Sequence, residues 1–243
     1  MILIRSLAFN IAFTVWFLCC TIGGMPLLLT NRENLFPLAR LWINGTSFLL
    51  RVIVGLKYEV RGIENLPEGA CIVASKHQSA WDTLIFMPLL KRPVFIHKKE
   101  LLWFPFLGLY LWRGGMIPVD RSAGKRAIIQ IGRAAKPLLA VGRRVIIFPQ
   151  GTRTPPGEVR PYRSGVQSIA AATNVPVVPV ALNSGLYWGR NAFTKRPGTI
   201  LLEFLPPLMP PHKDRQAFMA ALEEAIEPAT LRLEAEGRAK DGV

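Results

Sequence analysis

Residues 71–83 read Cys-Ile-Val-Ala-Ser-Lys-His-Gln-Ser-Ala-Trp-Asp-Thr, and they decide the fold class. The first four residues form a continuous apolar run, which is typical of a strand buried on both faces of a parallel sheet. A polar turn follows, and the chain after it has the pattern of a helix. A strand that passes through a short turn into a helix is the repeating unit of α/β proteins.

The same alternation continues on both sides of this stretch. Apolar runs predict strands at 58–60, 71–74, 94–96, 116–119, 144–148, 177–181 and 200–204. Helical patterns lie between or after them at 83–90, 101–112, 124–141, 166–173 and 214–236. We therefore predict an α/β fold with a mostly parallel mixed sheet flanked by helices. Pro176 and Pro179 indicate that the strand at 177–181 is an edge strand, or that the prolines mark its start.

The N-terminal segment is apolar and almost free of charge. Residues 6–31 contain no charged side chain, and a helix over residues 6–29 could cross about 30 Å of hydrocarbon. The run is too long for a secretory signal peptide and lacks a small-residue cleavage site. A single spanning helix and a re-entrant or interfacial hairpin both remain open. The Gly23-Gly24-Met25-Pro26 break favours the hairpin.

A second apolar segment covers residues 35–56 and has the spacing of an amphipathic helix, with Trp42 and two arginines at the edges of its apolar face. It could lie in a headgroup layer, or it could be a core helix of the domain that follows. We predict an N-terminal, two-helix membrane-associated segment at residues 1–56 and an α/β domain at residues 57–243.

Charge is distributed unevenly along the chain. The 243 residues include 30 Lys and Arg against 16 Asp and Glu, a formal net charge of +14, and half of them are hydrophobic. This composition excludes intrinsic disorder and argues against an ordinary soluble nucleic-acid binder. Residues 76–163 hold sixteen Lys and Arg but four acidic residues. Such a surplus points to an anionic substrate or membrane, although charges spread over exposed faces would look the same.

The cysteines and two of the histidines do not indicate a site. Cys19, Cys20 and Cys71 form no Cys-x-x-Cys pair, so we expect no disulfide framework, no structural zinc and a reducing compartment. His97 ends a predicted strand, and His212 lies in a proline-rich loop. We expect no catalytic role for either.

His77 and Asp82 are the candidates for acid–base chemistry. They are five residues apart, which on a straight helix would place them about 140° from each other. If His77 lies in the turn and Asp82 at the start of the helix, the carboxylate can fold back onto the imidazole. It would then fix the tautomer and leave the other ring nitrogen basic. The alternative is an aspartate that caps the helix next to an unrelated histidine.

Two further stretches combine an apolar strand with polar residues. In residues 144–154 a strand enters a turn in which Gly151 allows backbone amides to face outward and Arg153 offers a fork for phosphate. In residues 114–121 a strand delivers Asp120 and Arg121, which could also be a surface ion pair.

Together, these stretches resemble the PlsC-type 1-acylglycerol-3-phosphate acyltransferases, a branch of the broad glycerophospholipid acyltransferase family. The matching blocks occur in order: His77-x4-Asp82, the block ending in Asp120-Arg121, Phe148-Pro149-Gln150-Gly151-Thr152-Arg153, and Val177-Val178-Pro179-Val180. The 98–101 segment is also similar to the family. Two positions depart from its pattern: Gln150 replaces the usual Glu, and Arg163 stands where Lys is more common. Because Gln150 removes a negative charge, we expect a more positive substrate pocket.

The resemblance implies transfer of a fatty acyl group from an acyl-CoA or acyl-ACP thioester to the hydroxyl of lysophosphatidic acid, giving phosphatidic acid. His77 would be the general base and Asp82 its orienting partner. The predicted substrate-binding residues are Gly151, Thr152, Arg153 and Gln150, with help from Arg121, Lys98 and Lys99. No metal and no cofactor beyond the thioester co-substrate is expected, nor is a nucleic-acid partner. The resemblance also implies attachment to a membrane, at the cytoplasmic face of a bacterial inner membrane.

Alternatives remain within and outside this chemistry. Another lyso-lipid acceptor, such as lyso-ornithine lipid or a lysophospholipid, would use the same His77–Asp82 pair. An acyl-enzyme route through Ser79 is conceivable but less simple. A thioesterase or other lipid hydrolase, and a non-catalytic membrane-anchored protein that binds anionic lipids, are the remaining classes.

Overall fold

Seven strands form one sheet in the part of the chain that the structure describes. This structure is a computed structural model, and it describes residues 1–210 and 214–243, excluding the side chains of Arg121 and Lys125. The strands are β1 (Leu56–Arg61), β2 (Ile72–Ser75), β3 (Pro93–Lys98), β4 (Ile117–Val119), β5 (Arg144–Ile147), β6 (Val177–Leu182) and β7 (Gly198–Phe204). Each lies within two residues of its predicted position.

The strand order is β1-β7-β6-β2-β5-β3-β4. Every neighbouring pair is parallel except β6 and β7, which are antiparallel. This arrangement confirms the mostly parallel mixed sheet predicted from the sequence. It also means that β3, β5, β2 and β6 all end at the same edge of the sheet.

Helices cover both faces of the sheet. They are α1 (Ile2–Gly23), α2 (Leu35–Leu49), α3 (Trp81–Leu89), α4 (Leu107–Arg113), α5 (Lys125–Ala140), α6 (Gly165–Thr173) and α7 (Arg215–Asp241). Alternate residues of a strand pack on opposite faces of the sheet, since successive side chains of a strand point in opposite directions. In β2, for example, Val73 packs with α3 and the N-terminal helices, while Ile72 and Ala74 pack with α5, α6 and α7.

The predicted helix at 101–112 is interrupted. A 3-10 turn, Lys99–Trp103, precedes α4 and is separated from it by Pro105. The proline holds Phe104 in an extended conformation, and Phe106 adopts a positive φ of 61°. Gly108 then packs so closely against the carbonyl of Leu102 that a Cβ atom would overlap it.

The prediction of an edge position for the strand at 177–181 is wrong, because β6 lies between β7 and β2. Pro179 is tolerated at this interior position because its backbone nitrogen, which has no N–H, faces β7 and not β2. The carbonyls of Pro176 and Val180 bond to the β2 side, whereas the Pro179 carbonyl accepts from Leu205 on the β7 side. Pairing with β7 begins only at Val180, so the N–H that Pro179 lacks falls at the end of this ladder and not within it.

The N-terminal segment is a helical hairpin. Short 3-10 turns, Met25–Leu29 and Arg32–Asn34, join α1 to α2, and a π-helical turn, Leu50–Val54, connects α2 to β1. By length and composition α1 could cross a membrane, although helices of soluble proteins and signal sequences share these properties. One side of α1 exposes an apolar stripe at three- and four-residue spacing, formed by Ile4, Leu7, Ile11, Val15, Leu18 and Ile22. We call these six residues the α1 stripe.

The other side of α1 packs on the sheet domain. Phe9 has no exposed surface and contacts Trp188 edge to face, in a cluster that also contains Leu50 and Val54. Ser6 Oγ accepts a hydrogen bond from the backbone N–H of Lys195 at 2.9 Å. The hairpin and the sheet therefore share a hydrophobic core, and the division of the chain at residue 56 stays a prediction.

Replacement of Phe9 by Ala should destabilise the protein by about 3–5 kcal/mol, because it removes a fully buried aromatic ring. Ile11→Ala, on the same helix but 58% exposed, is the matched control and should cost less than 1 kcal/mol. Denaturant unfolding in mild detergent measures both. Equal losses for the two variants would contradict the packing of α1 on the sheet.

Candidate active site

The candidate site lies at the edge of the sheet where β3, β5, β2 and β6 end. In a largely parallel α/β sheet, the loops that follow the strands carry the ligand-binding groups. Here these loops supply His77 after β2, Arg153 after β5, and Arg190 after β6, while Lys98 ends β3. Residues far apart in the sequence thus meet around one cavity.

His77 and Asp82 form the contact expected from their spacing. His77 lies in the loop between β2 and α3, and Asp82 is the second residue of α3. The Nδ1 atom of His77 is 3.0 Å from Oδ2 of Asp82. The imidazole stacks on the ring of Phe148, with 4.0 Å between the ring centroids. The contact with Asp82 favours the tautomer of His77 that has a proton on Nδ1 and a lone pair on Nε2.

Asp82 has no exposed surface, and hydrogen bonds hold its carboxylate on every side. Its Oδ2 accepts from the backbone N–H groups of Gln78 and Ser79 at 2.6 and 2.8 Å, in addition to His77. Its Oδ1 accepts from the hydroxyl of Ser184, in the loop after β6, at 2.5 Å. A buried carboxylate with this many donors is held in a fixed position.

Ser79 does not border the cavity, although it is a neighbour of His77 in the sequence. Its side chain is buried, and its Oγ accepts a hydrogen bond from the N–H of Trp81 at 3.1 Å, at the start of α3. This geometry favours a structural role for Ser79 over an acyl-enzyme route.

The cavity has a volume of about 640 Å³ and two chemically distinct parts. The polar part contains His77, Thr152, Arg153, Arg190 and Asn191. The apolar part lies between the N-terminal hairpin, α3 and α4, and includes Phe17, Leu38, Trp42, Leu84, Met87 and Leu111. None of the described residues that line the cavity is acidic. It can therefore accommodate a ligand with an anionic end and a long apolar body.

The turn after β5, which the sequence predicts to bind phosphate, borders the cavity. Thr152 and Arg153 line the cavity, and Arg153 Nη1 lies 3.4 Å from Oδ1 of Asn191. Gly151 has a φ of +69°, and a Cβ atom on it would meet the side chain of Arg163. Gly151 therefore shapes the turn and is not itself part of the cavity wall.

The predicted residues around β3 and β4 differ in their positions. Lys98 lines the cavity, with its ammonium group 3.8 Å from Glu100. Lys99 instead pairs with Asp120 at 2.5 Å. The hydrogen bond from Lys99 and the weaker effect of hydrogen bonds from Ser122 lower the pKa of Asp120 to about 2. The side chain of Arg121 and the whole of His212 lie outside the described residues.

Two of the cavity residues were missed by the sequence analysis. His97, expected to be incidental, lines the cavity and is 7% exposed, and its Nδ1 lies 2.9 Å from the carbonyl oxygen of Lys98. Burial lowers the pKa of His97. Arg190 lies beyond the last recognised block. The available signal for both was their position at or after the end of a predicted strand, where α/β proteins bind ligands.

Comparisons with known proteins show the family of this chain. The sequence model of a family described as Acyltransferase matches residues 57–183. The chain is 38% identical over 167 residues to 1-acyl-sn-glycerol-3-phosphate acyltransferase of Pseudomonas aeruginosa, covering 69% of this chain and 65% of the relative. It is 33% identical over 207 residues to the mouse 1-acyl-sn-glycerol-3-phosphate acyltransferase alpha, covering 82% of this chain and 71% of that relative.

The chain belongs to the acyltransferase family. Its fold matches the crystal structure of PlsC, the 1-acyl-sn-glycerophosphate acyltransferase from Thermotoga maritima, with a TM-score of 0.79 at 23% identity. That match covers 97% of this chain and all of the other. The chain spans slightly less than two thirds of the length of its Pseudomonas relative.

Gln150 occupies a different place in the structure from the one predicted. Its side chain is buried and does not line the cavity; its Nε2 donates to Oε1 of Glu227 at 3.3 Å. The Glu227 carboxylate, on α7, also accepts from Lys76 at 2.6 Å and from Tyr162 at 2.7 Å. Gln150 therefore does not make the cavity more positive, because its amide faces the protein interior and a carboxylate.

The buried Lys76 explains why the protein needs the negative charge of Glu227. Its side chain is 1% exposed, and Glu227 is the carboxylate paired with it. A buried ammonium group is tolerated only when it is paired and hydrogen-bonded. Burial, together with the carboxylate of Glu227, raises the pKa of Tyr162.

Glu227→Gln should therefore destabilise the protein by about 3–5 kcal/mol, because it leaves Lys76 buried without a counter-charge. Gln150→Glu alone should also be destabilising, since it places a second carboxylate next to Glu227. The double variant Gln150→Glu/Glu227→Gln keeps one charge in the network and should recover most of the loss. Denaturant unfolding tests this cycle, and simple additivity of the two single losses would contradict the shared charge.

Proposed function

We propose that this acyltransferase moves a fatty acyl group from an acyl-CoA or acyl-ACP thioester to the sn-2 hydroxyl of lysophosphatidic acid, forming phosphatidic acid. The observation that carries the proposal is the position of the His77–Asp82 pair at a cavity with one cationic part and one apolar part. The names of the relatives point to the same reaction.

His77 acts as the general base in this proposal. Because Asp82 engages Nδ1, the Nε2 atom is free to accept the proton of the acceptor hydroxyl as its oxygen attacks the thioester carbonyl. The C–O bond forms, the electron pair moves to the carbonyl oxygen, and a tetrahedral intermediate results. Collapse of that intermediate breaks the C–S bond, and the imidazolium returns the proton to the leaving thiolate. Asp82 stabilises the imidazolium between these two steps.

The two parts of the cavity divide the task of binding. The phosphate of the acceptor lies at Thr152 and Arg153, since guanidinium groups form bidentate bonds to phosphate oxygens. An acyl chain lies in the apolar part between the N-terminal hairpin and α3. The fully buried Asp82 and the stacking of Phe148 on His77 fix the orientation of the base.

The substrates are membrane lipids, and the hairpin gives this chain a means to reach them. The α1 stripe forms a row of exposed apolar side chains on the same helix that contributes Phe17 to the cavity. We place the stripe in the headgroup and acyl boundary of the cytoplasmic leaflet of a bacterial inner membrane, where basic side chains gain about 1 kcal/mol each from anionic lipids.

Replacement of His77 by Gln should lower kcat for phosphatidic acid formation by about 10²–10⁴-fold, because the base is lost. Ser79→Ala is the matched control and should retain activity, since Ser79 Oγ only caps α3. Transfer from an acyl thioester to lysophosphatidic acid measures both, with thermal melting as the check on folding. A fully active His77→Gln enzyme, or an inactive but folded Ser79→Ala enzyme, would overturn the mechanism.

Lysines in the α1 stripe should weaken membrane attachment. The double variant Ile11→Lys/Val15→Lys changes two residues that are more than half exposed, so folding should be preserved. Co-sedimentation with neutral phosphatidylcholine vesicles, where an added lysine gains no attraction from anionic lipids, should fall at least several-fold. Leu231→Lys, an exposed position on α7 at the other face of the sheet, should bind like the unmodified protein. Unchanged sedimentation of the double variant would rule out the stripe as the membrane contact.

A further inference from the structure

Two arginines share the polar part of the cavity without an acidic partner. Arg153 and Arg190 both line it, and Arg153 contacts the side chain of Asn191, the residue next to Arg190. In residues 1–210 and 214–243, no carboxylate lies within ion-pair distance of either guanidinium. Asp82, behind His77, is fully engaged by its own donors.

The lysines at the end of β3 have acidic partners of their own. Lys98 lies 3.8 Å from Glu100, and Lys99 is paired with Asp120 outside the cavity lining. Burial lowers the pKa of Arg153; Asp82 opposes this effect, and the nearby charge of Arg190 adds to it. The two positively charged guanidinium groups therefore repel each other, and a bound anion would offset this repulsion.

We infer that Arg190 and Arg153 form a two-guanidinium clamp for the phosphomonoester of the acceptor lipid, and that Arg190 sets the preference for a phosphomonoester over a phosphodiester. This inference rests on the proposed function, because it names the acceptor class of the same site. Lysophospholipids with a substituted phosphate would bind the same place with one charge fewer.

The charge balance explains the preference. A phosphate monoester carries a charge of about −1.5 to −2 at pH 7 and three oxygen acceptors. Two guanidinium forks can neutralise that charge and bond to these oxygens. A diester carries one negative charge and two free oxygens, so one of the two arginines would remain without a counter-charge.

The loop that carries Arg190 is held in place before any ligand binds. Tyr187 and Trp188 are buried, and Gln78, from the His77 turn, accepts a hydrogen bond from the N–H of Gly185 at 3.0 Å. The N–H of Arg196 bonds to the carbonyl of Tyr187 at 2.9 Å and closes the loop. Pre-organisation of this kind lowers the entropic cost of placing Arg190 beside a ligand.

The test compares Arg190→Ala with Arg196→Ala, a matched control on the same loop that is exposed and does not line the cavity. Titration calorimetry in mixed micelles, without an acyl donor, measures the Kd for lysophosphatidic acid and for lysophosphatidylglycerol. Steady-state assays give KM for lysophosphatidic acid and for the acyl thioester. We expect Arg190→Ala to raise the Kd and KM for lysophosphatidic acid about tenfold or more.

The same variant should change the values for lysophosphatidylglycerol and for the thioester less than threefold, and Arg196→Ala should change none of them by that factor. A rise below fivefold in the Kd for lysophosphatidic acid, or equal rises for the two lipids, overturns the inference. If Arg190→Ala lowers the melting temperature, Arg190→Gln is held to the same thresholds. An unmodified protein that binds lysophosphatidic acid but does not acylate it refutes the proposed function alone.

Discussion

The rest of the site depends on the hydrogen bonds that the fully buried carboxylate of Asp82 accepts. Removing a charge from water is costly unless donors compensate for it, and Asp82 obtains them from two separate loops of the chain. The N–H groups of Gln78 and Ser79 fix the turn after β2, the hydroxyl of Ser184 fixes the loop after β6, and His77 completes the set. One side chain thus places the base and also joins two of the loops that border the cavity.

A second buried charge connects the N-terminal hairpin to the same loops. The ammonium group of Lys195 donates to Asn10 on α1 at 2.6 Å and to the carbonyl of Phe193 at 3.0 Å, and it lies 4.9 Å from the ring centroid of Trp188. Burial lowers the pKa of Lys195, and the interaction with α1 is the compensation that the structure provides. A helix with an exposed apolar stripe is therefore fastened to the loop that carries Arg190. Lys195 therefore connects the helix that carries the α1 stripe to the loop that borders the polar part of the cavity.

The sequence allowed the sheet and the His77–Asp82 contact to be predicted because both depend on local patterns. Continuous apolar runs mark buried strands wherever they occur, and a histidine five residues before an aspartate can meet it across one turn. The break before α4 was also encoded locally, by Pro105, but the apolar pattern around it outweighed the proline. The contact of Gln150 with Glu227 could not be predicted from the sequence, because the two residues are 77 positions apart and their contact depends on where α7 packs. The same is true of Arg190, whose relevance depends on β6 lying next to β2.

The charge surplus in residues 76–163 shows the limits of reading function from composition. Several of the sixteen basic residues there serve the fold and not a ligand. Arg143 is buried and donates to the carbonyls of Arg92, Pro93 and Gly114, and Arg144 donates to that of Pro67. Lys76 has its own carboxylate on α7. What distinguishes Arg153 and Arg190 is that both face the cavity and neither has an acidic partner. The relevant signal for an anionic substrate is therefore positive charge left uncompensated at a cavity, and the three-dimensional pairing reveals it where a count of residues does not.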